Sequence, residues 1–196
     1  MNPDIAAIHD FWFGPLDDAG MCGAERNALW FQSSPETDEQ LRRHFGALVE
    51  QALAGELDHW ADSDDGLVAL VLLLDQFTRN LYRDTARAFA GDEQALALSQ
   101  ANIASGHYQR LPAIHQAFLY MPLEHCEDLE VQEECVTLFE ELAAITGNSL
   151  LANFTRYAAA HRDVIARFGR FPHRNAVLGR DSSDAELEYL QTHGGF

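Results

Sequence analysis

Leu41, Phe45, Leu48, Val49 and Ala52 fall at i, i+4, i+7, i+8 and i+11, the spacing that lines apolar side chains along one face of an α-helix. The same template returns at Val131, Cys135, Leu138, Phe139 and Leu142. Sustained apolar–polar alternation, the mark of a half-buried strand, is hardly found. The punctuation agrees with helices. Asn2 before Pro3 sets a capping residue and a first-turn proline ahead of Ile5, Ile8, Phe11 and Trp12. Thr37 with Gln40 reads as a capping box opening the Leu41 stripe. Asp64 and Asp65 precede a helix predicted to run to about Leu81, and another spans Asp92 to Ser105 and stops at Gly106. The Val131 stripe ends at Gly147, and Leu150 to Phe168 gives a helix closed by Gly169 and Pro172. Ser183 with Glu186 is a second capping box, opening a short terminal helix through Leu190. Short connections and the absence of a Gly/Ser-rich linker predict an all-α fold in one domain over residues 1–196. A stack of degenerate helical hairpins is compatible with this, although no exact repeat period is visible.

Composition narrows the chemistry. Apolar residues make up 47% of the 196 residues, enough to bury a core. The 31 acids outnumber the 13 bases for a net charge of −18, and every base is an arginine. Without lysine there is no P-loop lysine, no kinase strand lysine and no Schiff base. So acidic a surface repels a phosphate backbone, so no nucleic-acid partner is expected. The longest apolar run, Leu67 to Leu74, is too short to span a bilayer, and Met1-Asn2-Pro3-Asp4 does not read as a signal peptide. Cys22, Cys126 and Cys135 form an odd set without a C-x-x-C pair, so a cytoplasmic location is expected. Metal-ligand spacing and cofactor motifs are lacking, and neither a metal nor a cofactor is expected.

Three groups of residues could carry chemistry. Asp75 and Arg79 lie four apart at the end of the most apolar helix and can pair, with Asn80 next to them. They form either a self-satisfied ion pair or a guanidinium held ready for a ligand. From Arg162 to Arg180 come five arginines and one acid, including Arg170, Arg174 and Arg180 beside His173 and Asn175. Arginine's planar fork suits carboxylate and phosphate oxygens, so this turn reads as an anion cradle. Its rival reading is internal neutralisation by the eight acids between Glu124 and Glu141. Both can hold, for different arginines. The histidines come last: His161 lies on the apolar stripe of its helix, and His125 stands two residues before Glu127.

Phe11-Trp12-Phe13-Gly14, Trp30-Phe31, Leu74-Asp75-Gln76-Phe77-Thr78-Arg79-Asn80, Met121-Pro122-Leu123-Glu124-His125-Cys126-Glu127-Asp128 and Phe168-Gly169-Arg170-Phe171-Pro172-His173-Arg174-Asn175 together resemble a bacterial family catalogued as domain-of-unknown-function 924. Val177-Leu178-Gly179-Arg180 extends the last motif, and the similarity covers nearly the whole chain. The resemblance implies a TPR-like α–α superhelix and carries no reaction with it. Thr78 stands where the family usually has proline, which implies a straighter helix end; Cys126 stands where serine is common.

Two function classes remain open at this point. In the first, Asp75, Arg79, Asn80, His125, Glu127, His161, Arg170, His173, Arg174, Asn175 and Arg180 surround an anionic small molecule, with His125 or His173 moving a proton. In the second, a TPR-like scaffold takes an acidic peptide or protein partner.

Overall fold

The computed structural model describes residues 2–32 and 34–194. The fold is all-α: among the described residues, helices are joined by turns, and the sole sheet-like pairing is an isolated antiparallel bridge between Leu16 and Cys22. None of the described helices is long and apolar enough to cross a membrane. The chain divides into two compact units, one made of the described residues up to 83 with 87–122, the other of 84–86 with 123–194.

In the first unit, α1 (Pro3–Trp12) starts with the Asn2 side chain accepting from the Asp4 N–H, and it buries Ile5, Ile8 and Trp12. The Trp12 ring lies 5.2 Å from Phe77 and 5.8 Å from Phe118, making an aromatic centre for this unit. A short α2 (Arg26–Phe31) leads to α3 (Pro35–Leu53). The cap of α3 is Ser34, three residues before the expected Thr37, and Ser34 accepts from the Thr37 N–H. Pro35 explains the shift, because its fixed φ and missing N–H suit the first helical position.

Ser63 caps α4 (Asp64–Val71), so Asp64 and Asp65 belong to its first turn. The helix continues to α5 (Thr78–Leu81) but widens into a π-helical segment over Leu72–Phe77. Thr78 follows that segment directly, and its hydroxyl donates to the carbonyl of Leu74 at 2.8 Å. The helix end is therefore continuous but not regular. Gly91 precedes α6 (Asp92–Ala104), and a Cβ built there would stand 2.3 Å from the Leu74 carbonyl oxygen. Only glycine permits that approach. Periodicity does not predict α7 (Ala113–Glu124), because every residue in it except Gln116 is buried and no polar face breaks the pattern.

The second unit is built on α8 (Leu129–Thr146) and α9 (Ser149–Phe168), joined by the two residues Gly147 and Asn148. So short a turn folds them back on each other, with Phe139 and Phe154 in ring contact at 6.0 Å. Gly169 closes α9 with φ at 70°, and its N–H bonds the Ile165 carbonyl at 2.7 Å. The chain then makes a short helical turn at Pro172–Arg174 before α10 (Asp184–His193). The box predicted at Ser183 and Glu186 caps α10, with both reciprocal bonds formed.

Candidate functional site

The residues singled out in the sequence fall in both units. Asp75, Arg79 and Asn80 belong to the first, where each meets carboxylates or their partners. Asp75 is fully buried in the π-helical segment, and its carboxylate lies 3.1 Å from Arg79. The same guanidinium reaches Asp92 at 3.0 Å and covers the Phe89 ring at 5.6 Å. Asn80 donates to Asp38 at 2.8 Å, on a carboxylate that Arg83 also grips with both arms. These contacts fit the self-satisfied reading of this group.

The second unit gathers the rest. Glu127 follows the end of α7, and Arg180 lies on the loop before α10. Arg180 donates to Glu127 twice, at 2.6 and 2.9 Å, while Glu127 also accepts from the Phe171 N–H at 2.8 Å. Burial works against the charge on Glu127, yet the Arg180 guanidinium and the Phe171 N–H hold its carboxyl below the usual range. Arg180 further bonds the Asn175 side chain, and Asn175 in turn donates to Ser182. Arg170 makes a similar fork with Glu186, at 2.7 and 2.9 Å. That pairing is the main reason the Glu186 carboxyl is drawn down to about 2. Arg170 and Arg180 are thus internally neutralised, and the acid run supplies Glu127 for one of them, while Glu186 comes from outside that run.

Arg174 is placed differently. It is buried, donates to the His125 carbonyl at 2.9 Å and lies over the Phe171 ring at 4.5 Å. Phe171 collects its neighbours: the His161 ring centroid is 5.5 Å from it and that of His173 is 5.7 Å. His125 stands 6.2 Å from His161. The Phe171 ring therefore gathers two imidazoles and a guanidinium from the middle of α9 and the turn after it, and His125, just past α7, joins them through His161 and Arg174.

His161 bonds the Tyr157 carbonyl at 2.9 Å through Nδ1, which also lies 3.1 Å from the buried Glu124 carboxylate. Nδ1–H is the donor in that arrangement, leaving the lone pair on Nε2. Burial pushes His161 down to about 3, with the charges of His125, Arg174 and His173 adding to the effect. At neutral pH the ring is then neutral. So weak a base is suited to orienting and accepting hydrogen bonds.

Glu124, Phe171, Glu186 and Gln132 were not among the site residues read from the sequence. Gln132 is fully buried on α8 and gives its Nε2 to the carbonyls of Glu124 and Cys126 at 2.6 and 2.8 Å. It thereby fixes the strand of backbone that presents His125. The signal was present, as a polar residue on a helix otherwise acidic outside and apolar inside, but spacing could not tell what it would bond.

Fold and site define an all-helical protein with five arginines between Arg162 and Arg180 in its C-terminal unit. The chain belongs to the family described as bacterial protein of unknown function (DUF924), whose model matches residues 8–194. It is similar to the solved structure of a protein of unknown function, ATU0120, from Agrobacterium tumefaciens, at 34% identity and a TM-score of 0.80. That match covers 96% of this chain and 97% of the other. No curated protein matches the chain.

Proposed function

We propose that the C-terminal unit binds an anionic small molecule, a phosphate- or carboxylate-bearing metabolite, through Arg174 and the histidines around Phe171. The observation that carries this reading is the gathering of His161, His173 and Arg174 on the Phe171 ring, with His125 beside His161. In a chain of net charge −18, diffuse repulsion would exclude an anion, so a recognition site needs such a local reversal. Arg170 and Arg180 act on the ligand only indirectly, since Glu186 and Glu127 already hold them. His125 or His173 moves a proton if the bound molecule reacts. The same proposal sets the protein in the cytoplasm, which its odd set of cysteines supports. It also takes α8 and α9 as one hairpin of a TPR-like stack, for which their two-residue turn speaks.

The test is a thermal-shift screen of the purified chain against inorganic phosphate, phosphorylated metabolites and di- and tricarboxylates. The reading expects at least one anion to raise Tm in a saturable way, with the effect lost in Arg174→Gln and kept in Arg79→Gln. Equal stabilisation of wild type and Arg174→Gln by every hit overturns it. So does stabilisation by acidic peptides with none by small anions.

A further inference from the structure

We propose that the first unit carries a binding site for one divalent first-row transition-metal ion, Zn²⁺ by its donor set, formed by His9, Asp65 and His115. The three residues come from the last turn of α1, the first turn of α4 and the first turn of α7. One ligand atom of each lies within 4.8 Å of the others. Spacing along the chain carries no trace of this group, since its members are 56 and 50 residues apart.

His115 is 5% exposed, and its Nδ1 is buried with no hydrogen-bond partner among the described residues. A buried imidazole nitrogen with nothing to bond is the exception in folded proteins and asks for an explanation. A metal ion supplies one, because the orphaned atom is then a ligand. His9 is held for the same role. Its Nε2 bonds the Asp65 carbonyl at 2.8 Å, so Nε2 carries the proton and the lone pair falls on Nδ1. Such a backbone bond to the second ring nitrogen is the usual way a ligating histidine is oriented. The two imidazoles stand edge to face with centroids 4.8 Å apart, and Phe13 packs 4.5 Å from His115 and 5.6 Å from His9. Phe13 thus forms an apolar wall on one side of the group.

Two imidazole nitrogens and one carboxylate oxygen favour zinc and its neighbours over magnesium or calcium, which prefer oxygen alone. Ligands about 2.0–2.2 Å from a tetrahedral zinc lie roughly 3.3 Å apart. Closing the group around an ion therefore needs a movement of about an ångström. Asp65 is partly exposed, and its side chain can make that movement by rotation. Three protein ligands leave the fourth position to water, the pattern of an open zinc site.

The experiment uses the full chain, stripped with chelator and titrated with Co²⁺, whose visible absorption reports coordination number and ligand type. The expected result is one equivalent bound with the intense bands of a four-coordinate nitrogen–oxygen site, and displacement by one equivalent of Zn²⁺. Asp65→Asn and His9→Gln alter partly exposed side chains and leave the core intact. Each should weaken binding 10-fold or more, His115→Ala should do the same, and Arg174→Gln should change nothing. The inference is overturned if no equimolar ion binds, if Asp65→Asn and His9→Gln bind as the wild type does, or if thiolate-to-metal bands show that cysteines are the ligands.

Discussion

Replacing Glu127 by glutamine removes one charge and leaves the shape nearly unchanged. The carboxylate receives three donors, two from Arg180 and one from the Phe171 N–H. In Glu127→Gln the amide oxygen can keep Phe171 or one arm of Arg180, while the amide NH₂ faces a guanidinium nitrogen where Oε2 stood at 2.6 Å from it. At least one charge-assisted bond is lost, and each contributes about 1.5–3 kcal/mol. Both side chains are about a quarter exposed, at 26% and 24%, which puts the loss at the lower end. The expected cost is about 2 kcal/mol at pH 7, or roughly 4–8 °C in Tm for a chain of this size. The sign of the pH dependence follows from the lowered carboxyl of Glu127. A depressed folded-state pKa gives stability that is complete above the ordinary value of 4.5 and is lost as pH falls through the folded one. Glutamine does not titrate, so the gap between wild type and variant should close in acid. Urea unfolding followed by far-ultraviolet circular dichroism, from about pH 7 down to pH 3, measures both effects. A gap under about 0.5 kcal/mol at pH 7, or a gap that persists unchanged at pH 3, would refute the reasoning.

Gly91→Ala should destabilise by about 1–3 kcal/mol, because the new methyl would press on backbone at Leu74 with no flexible side chain to yield; thermal unfolding reads it, and an unchanged Tm would contradict the packing described. Carboxyl-carbon NMR of Glu186 should show titration at about 2, moving up toward the ordinary carboxylate range in Arg170→Gln. An unmoved midpoint would mean that Arg170 is not what holds it down.

Helix boundaries were legible in the sequence because the groups that settle them are local. Gly147 and Gly169 close α8 and α9 at left-handed φ of 62° and 70°, and Ser183, directly before α10, caps it by accepting from the Glu186 N–H. The stripes at Leu41 and Val131 likewise lie on buried faces of α3 and α8. Ser34 shows how narrow the margin is: the capping box read at Thr37 lies one turn inside α3, because Pro35 suits the first helical position and sets the start at Ser34. Helix α7 left no stripe to read, since burial on all sides erases the amphipathic pattern.

The site was legible as a list of residue types and illegible as a set of partnerships. An excess of arginine between Arg162 and Arg180 is a fact of composition. That Arg180 takes Glu127, 53 residues away, while Arg170 takes Glu186 from α10 and Arg174 lies over Phe171, is a fact of packing. His9, Asp65 and His115 are an extreme case, with nothing in their spacing to connect them. The physical reason is range. Capping and periodicity act over one or two helical turns and are written in consecutive residues, whereas an ion pair or a shared ligand forms only where the folded backbone brings remote side chains within a few ångströms. The sequence by itself therefore determined an acidic, lysine-free, all-helical chain with most of its helix ends in place. Which of its charges meet which partners was decided by the tertiary structure alone.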